Sequence, residues 1–257
     1  MSIQLITKYD WSNLLVFAGT KGGVGKTTTA AHVWDKMERV YASIRAFDFE
    51  PGVGVGFSRF CKKAQKMEMG DPENRRDLNV LVNDLQVSNP NRPIVALADM
   101  PANATEQFLH WAQNIPWDEL AKQKIRLVLC LVISRDSDSF ALAQNWIKQL
   151  GNRVRFVVIL NEGLGKDFRA YTHSQEGIEF AETYKPLQIV FPAITESIMC
   201  HVRNEGSTLF RAIEEQTGIV TLPNIKNDLM TKGQIIRLRN QVDANLQPLI
   251  DMLTGGK

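Results

Sequence analysis

Apolar residues in this chain gather into short unbroken runs, separated by stretches of helical period. The runs Leu14–Ala18, Ser43–Phe47, Ile94–Ala98, Arg126–Ile133, Val154–Leu160 and Leu187–Phe191 predict strands. Between them the spacing predicts helices over Lys26–Val40, Leu78–Leu85, Ala104–Gln113, Ser137–Leu150, Gln175–Tyr184 and Ser207–Thr217. Strands that are continuously apolar suit a parallel sheet covered on both faces. Strand–helix alternation then predicts an α/β fold: a doubly wound, mostly parallel sheet with helices on both faces. Ligands of such sheets sit at the C-terminal ends of strands.

Two segments depart from the alternation. Cys61–Asp77 is charged and turn-rich, and is expected to be a surface loop with a helical start. From Thr221 onward the strands stop, but Ile235, Leu238, Val242, Leu246, Leu249 and Leu253 recur at helical spacing. Pro248 is expected to interrupt that helix or to begin a second short one.

Composition narrows the class without naming it. A chain of 257 residues, 44% hydrophobic and 23% charged, can bury one large α/β core. Its longest apolar run is too short for a membrane span. The opening MSIQLITKYDWSN has no apolar core of a secretory signal, so a cytoplasmic protein is expected. Cys61, Cys130 and Cys200 are odd in number and far apart, which fits reduced thiols and not a metal site. A net charge of +2 neither demands nor excludes a nucleic-acid partner.

The chemistry lies where the first strand ends. Lys21-Gly22-Gly23-Val24-Gly25-Lys26-Thr27-Thr28 stands between a predicted strand and a predicted helix. Glycines there let backbone N–H groups close on phosphate oxygens, and the helix start adds its free donors and dipole. Lys26 supplies a point charge to the outer phosphates, and Thr27 a hydroxyl to Mg²⁺. The loop is not a standard Walker A, because Thr20 stands where that pattern has glycine. Asp99 ends another apolar strand and can order the same Mg²⁺.

This loop, with its second lysine at the front, resembles the deviant Walker A of the ParA/MinD ATPases. The Asp99-Met100-Pro101 strand end is similar too, and the likeness runs from about Leu14 to about Gln216. It includes Ser197–Leu209, similar to the family segment that precedes the last core helix. The resemblance implies ATP and Mg²⁺ as ligands, and a homodimer that closes on ATP with Lys21 reaching the partner's phosphates. It implies a switch at Asp48 and Pro51, but Glu50 stands where the family has the aspartate that orients water. One extra methylene there implies slow hydrolysis. Asn161 matches the asparagine that contacts adenine, and Leu164 in place of an aspartate argues against guanine.

The family likeness also frames the partners. It implies residues 1–220 as an ATPase domain and 221–257 as a helical extension packed on it. In partition ATPases the C-terminal part contacts DNA phosphates. The candidates here are Arg203, Arg211, Lys226, Lys232, Arg237 and Arg239. A nucleoid-associated switch in plasmid or DNA partition, stability or transfer is expected, with a small DNA-binding or adaptor protein as its activator. The alternatives are a MinD-like positioning ATPase whose Ile235–Leu253 stripe lies on a membrane, and a ligase of the dethiobiotin-synthetase type. No cysteine pair is placed for an iron–sulfur cluster and no second phosphate loop is present, which disfavours other relatives.

Overall fold

Residues 10–19, 21–41, 43–50, 56–69, 76–86, 94–213 and 228–255 are described by the structure, a computed structural model. The strands are β1 (Ser12–Ala18), β2 (Ile44–Asp48), β3 (Gln65–Lys66), β4 (Val95–Asp99), β5 (Ile125–Ile133), β6 (Arg155–Asn161) and β7 (Leu187–Phe191). They pair in the order β3-β2-β4-β1-β5-β6-β7, every neighbour parallel. From β1 the chain moves to one side for β2 to β4, then crosses to the other for β5. The end of β1 is therefore the switch point of the sheet, where a crevice opens.

The helices are α1 (Lys26–Val40), α2 (Arg76–Gln86), α3 (Thr105–Gln113), α4 (Trp117–Lys122), α5 (Ser137–Leu150), α6 (Arg169–Thr172), α7 (Gln175–Tyr184), α8 (Glu196–Asn204) and α9 (Leu229–Thr254). Strand side chains alternate between two cores, because successive Cβ atoms point to opposite faces. Leu15, Phe17, Val95, Leu97, Val128 and Val157 share one core with α1, α8 and α9. Leu14, Val16, Ala96, Ala98, Leu129 and Val158 share the other with α2, α3, α5 and α7. Burial on both faces explains why these strands read as unbroken apolar runs.

The ends expected for α1, α5, α7 and β7 are those observed; β1, β2, β4, β5, β6, α2 and α3 shift by a residue or two, and α4, α6 and α8 were not expected. Three expectations are corrected. Within Cys61–Asp77 the described residues include β3, a two-residue edge strand paired to β2 by Phe47↔Gln65 and Asp48↔Lys66. So short a strand carries too few side chains to show a period. The helix expected over Ser207–Thr217 is absent from its described part. The helix lies earlier, as α8, and residues 205–213 turn irregularly. Gly206, at φ +56, ends the helical path, and a Cβ there would sit 2.8 Å from the Arg59 carbonyl oxygen.

The third correction is Pro248, which neither breaks nor begins a helix. α9 runs through it as one helix of 26 residues. Proline costs one backbone hydrogen bond, but Leu246, Leu249, Ile250 and Leu253 are all buried on either side of it. That burial keeps both halves in line against α1 and β7. Asn245 Nδ2 donates to the Val190 carbonyl at 2.7 Å, and Lys36 pairs with Asp243 at 2.7 Å.

Candidate phosphate-binding site

Three strand ends meet at the switch point. Phe17 of β1 and Asp48 of β2 are both in register with Asp99 of β4. The loop Lys21–Gly25 leaves β1 at that level and turns into α1. Gly25 caps α1 at φ +94, a left-handed backbone that favours glycine. A Cβ there would also lie 2.3 Å from Nδ2 of Asn161, so the loop passes directly over the end of β6.

Asn161 was expected to meet adenine. In the structure its Nδ2 donates to the Val24 carbonyl at 2.7 Å, and its Oδ1 accepts from Gly163 N at 3.0 Å. The side chain is 7% exposed and buttresses the loop from below. Its position at a strand end was legible; the direction of its amide was not.

Beneath the loop the charges are arranged in depth. Lys26 is buried, and its Nζ donates to the Lys21 carbonyl at 3.0 Å. Burial lowers its pKa, opposed by the negative charges of Asp99 and Glu50. Thr27 Oγ1 donates to Asp99 Oδ2 at 2.7 Å. Asp99 is 1% exposed, and burial pushes its carboxyl up to about 7 against the Thr27 hydrogen bond. Its other oxygen, Oδ1, is buried with no hydrogen-bond partner among the described residues. A buried carboxylate oxygen left over costs free energy unless a proton or a cation takes it.

That orphaned oxygen, beside a threonine hydroxyl at the mouth of a glycine loop, fits Mg²⁺. Among the described residues no three His, Cys, Asp or Glu side chains cluster to hold a metal alone. Mg²⁺ does not need such a cage, since it is bound through one or two carboxylates together with phosphate oxygens and water. Thr27 and Asp99 would hold it. The ion would neutralise charge on the phosphates.

Asp48, 1% exposed, is already engaged. Its Oδ1 accepts from Glu50 N at 3.0 Å and its Oδ2 from Ser58 N at 2.7 Å, so it organises the turn after β2. Glu50 is half-buried and lines the cleft with Gly22, Gly23, Gly25, Lys26, Thr27 and Thr28. The cleft has a volume of about 420 Å³. Pro51, expected in the same switch, lies outside the described residues.

Lys21 leans outward to Asp136, the N-cap residue of α5, and to Asp138 at 3.6 Å. The hydrogen bond to Asp136 raises the Lys21 pKa, and the same bond lowers that of Asp136. Asp136 follows β5, so the strand-end rule marks its region; no local motif singles it out.

Of the six cations expected to face DNA, the five that are described scatter. Arg203 lines the phosphate cleft, together with Arg59 of the 3-10 turn Phe57–Arg59. Arg211 pairs with Asp35 at 2.5 Å and with Glu38 at 3.4 Å, and donates to the Phe60 carbonyl. Arg239 lies over the Phe210 ring at 5.8 Å. Lys226 lies outside the described residues. Lys232 and Arg237 are on α9, Arg237 exposed and Lys232 half-buried. Among the described residues, no helix is long and apolar enough to cross a membrane.

A glycine loop between the central strand and its helix, on a parallel sheet of this order, makes the fold that of the P-loop nucleotide-binding α/β proteins. In fold it is ParA-like. The chain is similar to a ParA family ATPase from Chlorobium tepidum TLS, at 11% identity over 90% of this chain and 98% of that one, with a TM-score of 0.50. Two further solved structures align less well. One is the MinC:MinD cell division protein complex of Aquifex aeolicus, at 13% identity, 91% and 96% coverage and a TM-score of 0.47. The other is the ATP complex of a substituted McdA from Cyanothece, at 15% identity, 90% and 98% coverage and a TM-score of 0.40. No family model and no curated protein matches the sequence.

Proposed function

We propose that this protein is a Mg²⁺-dependent ATPase of the ParA type, a switch that dimerises on ATP and turns it over slowly. The observation that carries the reading is the pair Thr27–Asp99 under the glycine loop, with one carboxylate oxygen of Asp99 buried and unpartnered. Lys26 would give up the Lys21 carbonyl for a phosphate. Lys21 would exchange Asp136 for the phosphates of the partner subunit. Glu50, at the cleft wall, would orient the attacking water from one methylene further out than an aspartate does.

The dimer's target is proposed to be the DNA backbone, met without sequence preference through Lys232 and Arg237. Arg203 and Arg211 no longer support that surface, since one lines the cleft and the other is held in ion pairs. The membrane alternative loses its basis as well. The stripe that would enter lipid, Ile235 to Leu253, is buried in the protein core.

Light scattering tests the switch. With Mg²⁺ and a non-hydrolysable ATP analogue, wild type should run as a dimer and Lys21→Ala as a monomer. The dimer should shift DNA duplexes of unrelated sequence, less so as salt rises, because phosphate contacts release counterions. Wild type that stays monomeric with the analogue bound would overturn the reading.

A further inference from the structure

Two arginines reach the phosphate cleft from outside the glycine loop. Arg59 comes from the 3-10 turn after β2, and Arg203 from the last turn of α8. They are far apart in sequence, and a specific backbone contact brings them together. The Gly206 turn, just after α8, sits against the Arg59 carbonyl so closely that a Cβ on Gly206 would lie 2.8 Å from it. Arg211 ties the same pieces a second time. It donates to the Phe60 carbonyl, next to Arg59, while pairing with Asp35 of α1. Thr208 Oγ1 bonds Asp35, and Leu209 N donates to His32 Nε2 at 3.2 Å. The 3-10 turn, the α8 turn and the helix that begins at the glycine loop are thus fastened to one another.

Neither guanidinium makes an ion pair or side-chain hydrogen bond among the described residues. Among the described residues, the charged side chains lining the cleft are Lys26, Arg59 and Arg203 with Glu50. Gathering like charges in one recess is unfavourable unless an anion shares it. The ordinary needs of an inner phosphate are already met by the loop's N–H groups, the start of α1 and Lys26. Two further planar donors, each able to fork onto phosphate oxygens, exceed that need.

We propose that Arg59 and Arg203 bind the outermost phosphate of a nucleoside triphosphate, in the same subunit that holds its inner phosphates. The pair thereby distinguishes triphosphate from diphosphate. Because both arginines ride on turns fastened to α1, arrival of that phosphate would be felt by the α8 turn and the core beneath it. This rests on the reading of the cleft as a nucleotide site.

Calorimetric titration of wild type, Arg203→Ala, Arg203→Lys and the double variant Arg59→Ala/Arg203→Ala with MgADP and with the Mg²⁺ complex of a non-hydrolysable ATP analogue tests it. Arg203 is exposed, so its replacement leaves folding intact, which circular dichroism checks. Arg203→Ala should weaken the triphosphate analogue by roughly 10-fold, and the double variant by more, with ADP changed less than about 3-fold. Arg203→Lys should recover part of the loss. Unchanged analogue binding in the double variant, or an equal loss for ADP and analogue, would overturn the proposal while leaving the nucleotide site standing. If wild type binds neither ligand, the reading of the cleft itself fails.

Discussion

The glycine-loop end of β1 and the seat of α9 are built on opposite terms. At the loop end, charged groups are left without partners among the described residues. Among the described residues, one oxygen of Asp99 has no donor and neither Arg59 nor Arg203 has an ion pair, and burial works against the charges of both Asp99 and Lys26. At α9 the contacts are mainly apolar: buried leucines and isoleucines meet the core of α1 and β7, with Asn245 donating to a β7 carbonyl and Lys36 pairing with Asp243. The difference separates the end proposed to bind a ligand from the seat that supplies stability. The loop end holds charge that a ligand would satisfy, and the α9 seat holds the fold together. Changes at one should therefore leave the other's property nearly untouched.

The largest break should come at the α9 seat. Leu246 is 1% exposed in the core shared with α1, and Leu246→Ala should cost about 2–5 kcal/mol in urea unfolding through the cavity it leaves. Nucleotide affinity of the folded fraction should stay within about 3-fold, a shift below roughly 0.7 kcal/mol. A variant of wild-type stability, or one that folds but no longer binds, would show that the two regions are not separate.

A smaller, pH-dependent effect sharpens the boundary between them. His32 of α1 is fully buried, with Nδ1 bonded to the Thr28 carbonyl at 2.8 Å and Nε2 accepting from Leu209 N. Its ring is therefore neutral, and burial lowers its pKa to about 4. A depressed pKa gives stability that is present above the unfolded value of 6.5 and is lost as pH falls through 4. Asp35 and Asp99, raised to about 6 and about 7, act the other way: their stabilisation is full below the unfolded value of 3.8 and is lost as pH rises through those values. Comparison with His32→Gln isolates the histidine. Between pH 7 and pH 5 the variant should gain about 2 kcal/mol relative to wild type. A gap that does not change with pH would mean His32 is not held neutral.

The sequence carried the two regions unequally. α5 and α7 were legible to the residue because each is amphipathic and capped, Asp136 and Ser174 accepting from their first turns, and α1 because the glycine loop marks its start. The loop was legible because its residues are neighbours in the chain. The stripe of α9 was legible as a helix, but periodicity alone does not say whether its apolar face meets lipid or core. What stayed hidden depends on contacts between distant residues. The irregular path of 205–213 is set by Thr208 and Leu209 meeting Asp35 and His32, so its apolar content imitated a helix. Arg203 reads as one more surface cation until the Gly206 turn places it in the cleft. The Asn161 amide donates to the Val24 carbonyl, a contact between distant residues that no local pattern shows.

Thermal unfolding of wild type and Lys26→Ala, each with and without Mg²⁺ and ATP, tests the central claim most directly. A ligand that binds only the folded state stabilises it, by about 2.7 kcal/mol at a hundred times its Kd. Wild type should show that rise in Tm. Lys26→Ala should melt within roughly a few degrees of unliganded wild type, the scale of a change outside the apolar core, and should not respond to ATP. A Tm shift with ATP that is equal in both proteins, or absent in wild type, would contradict the account.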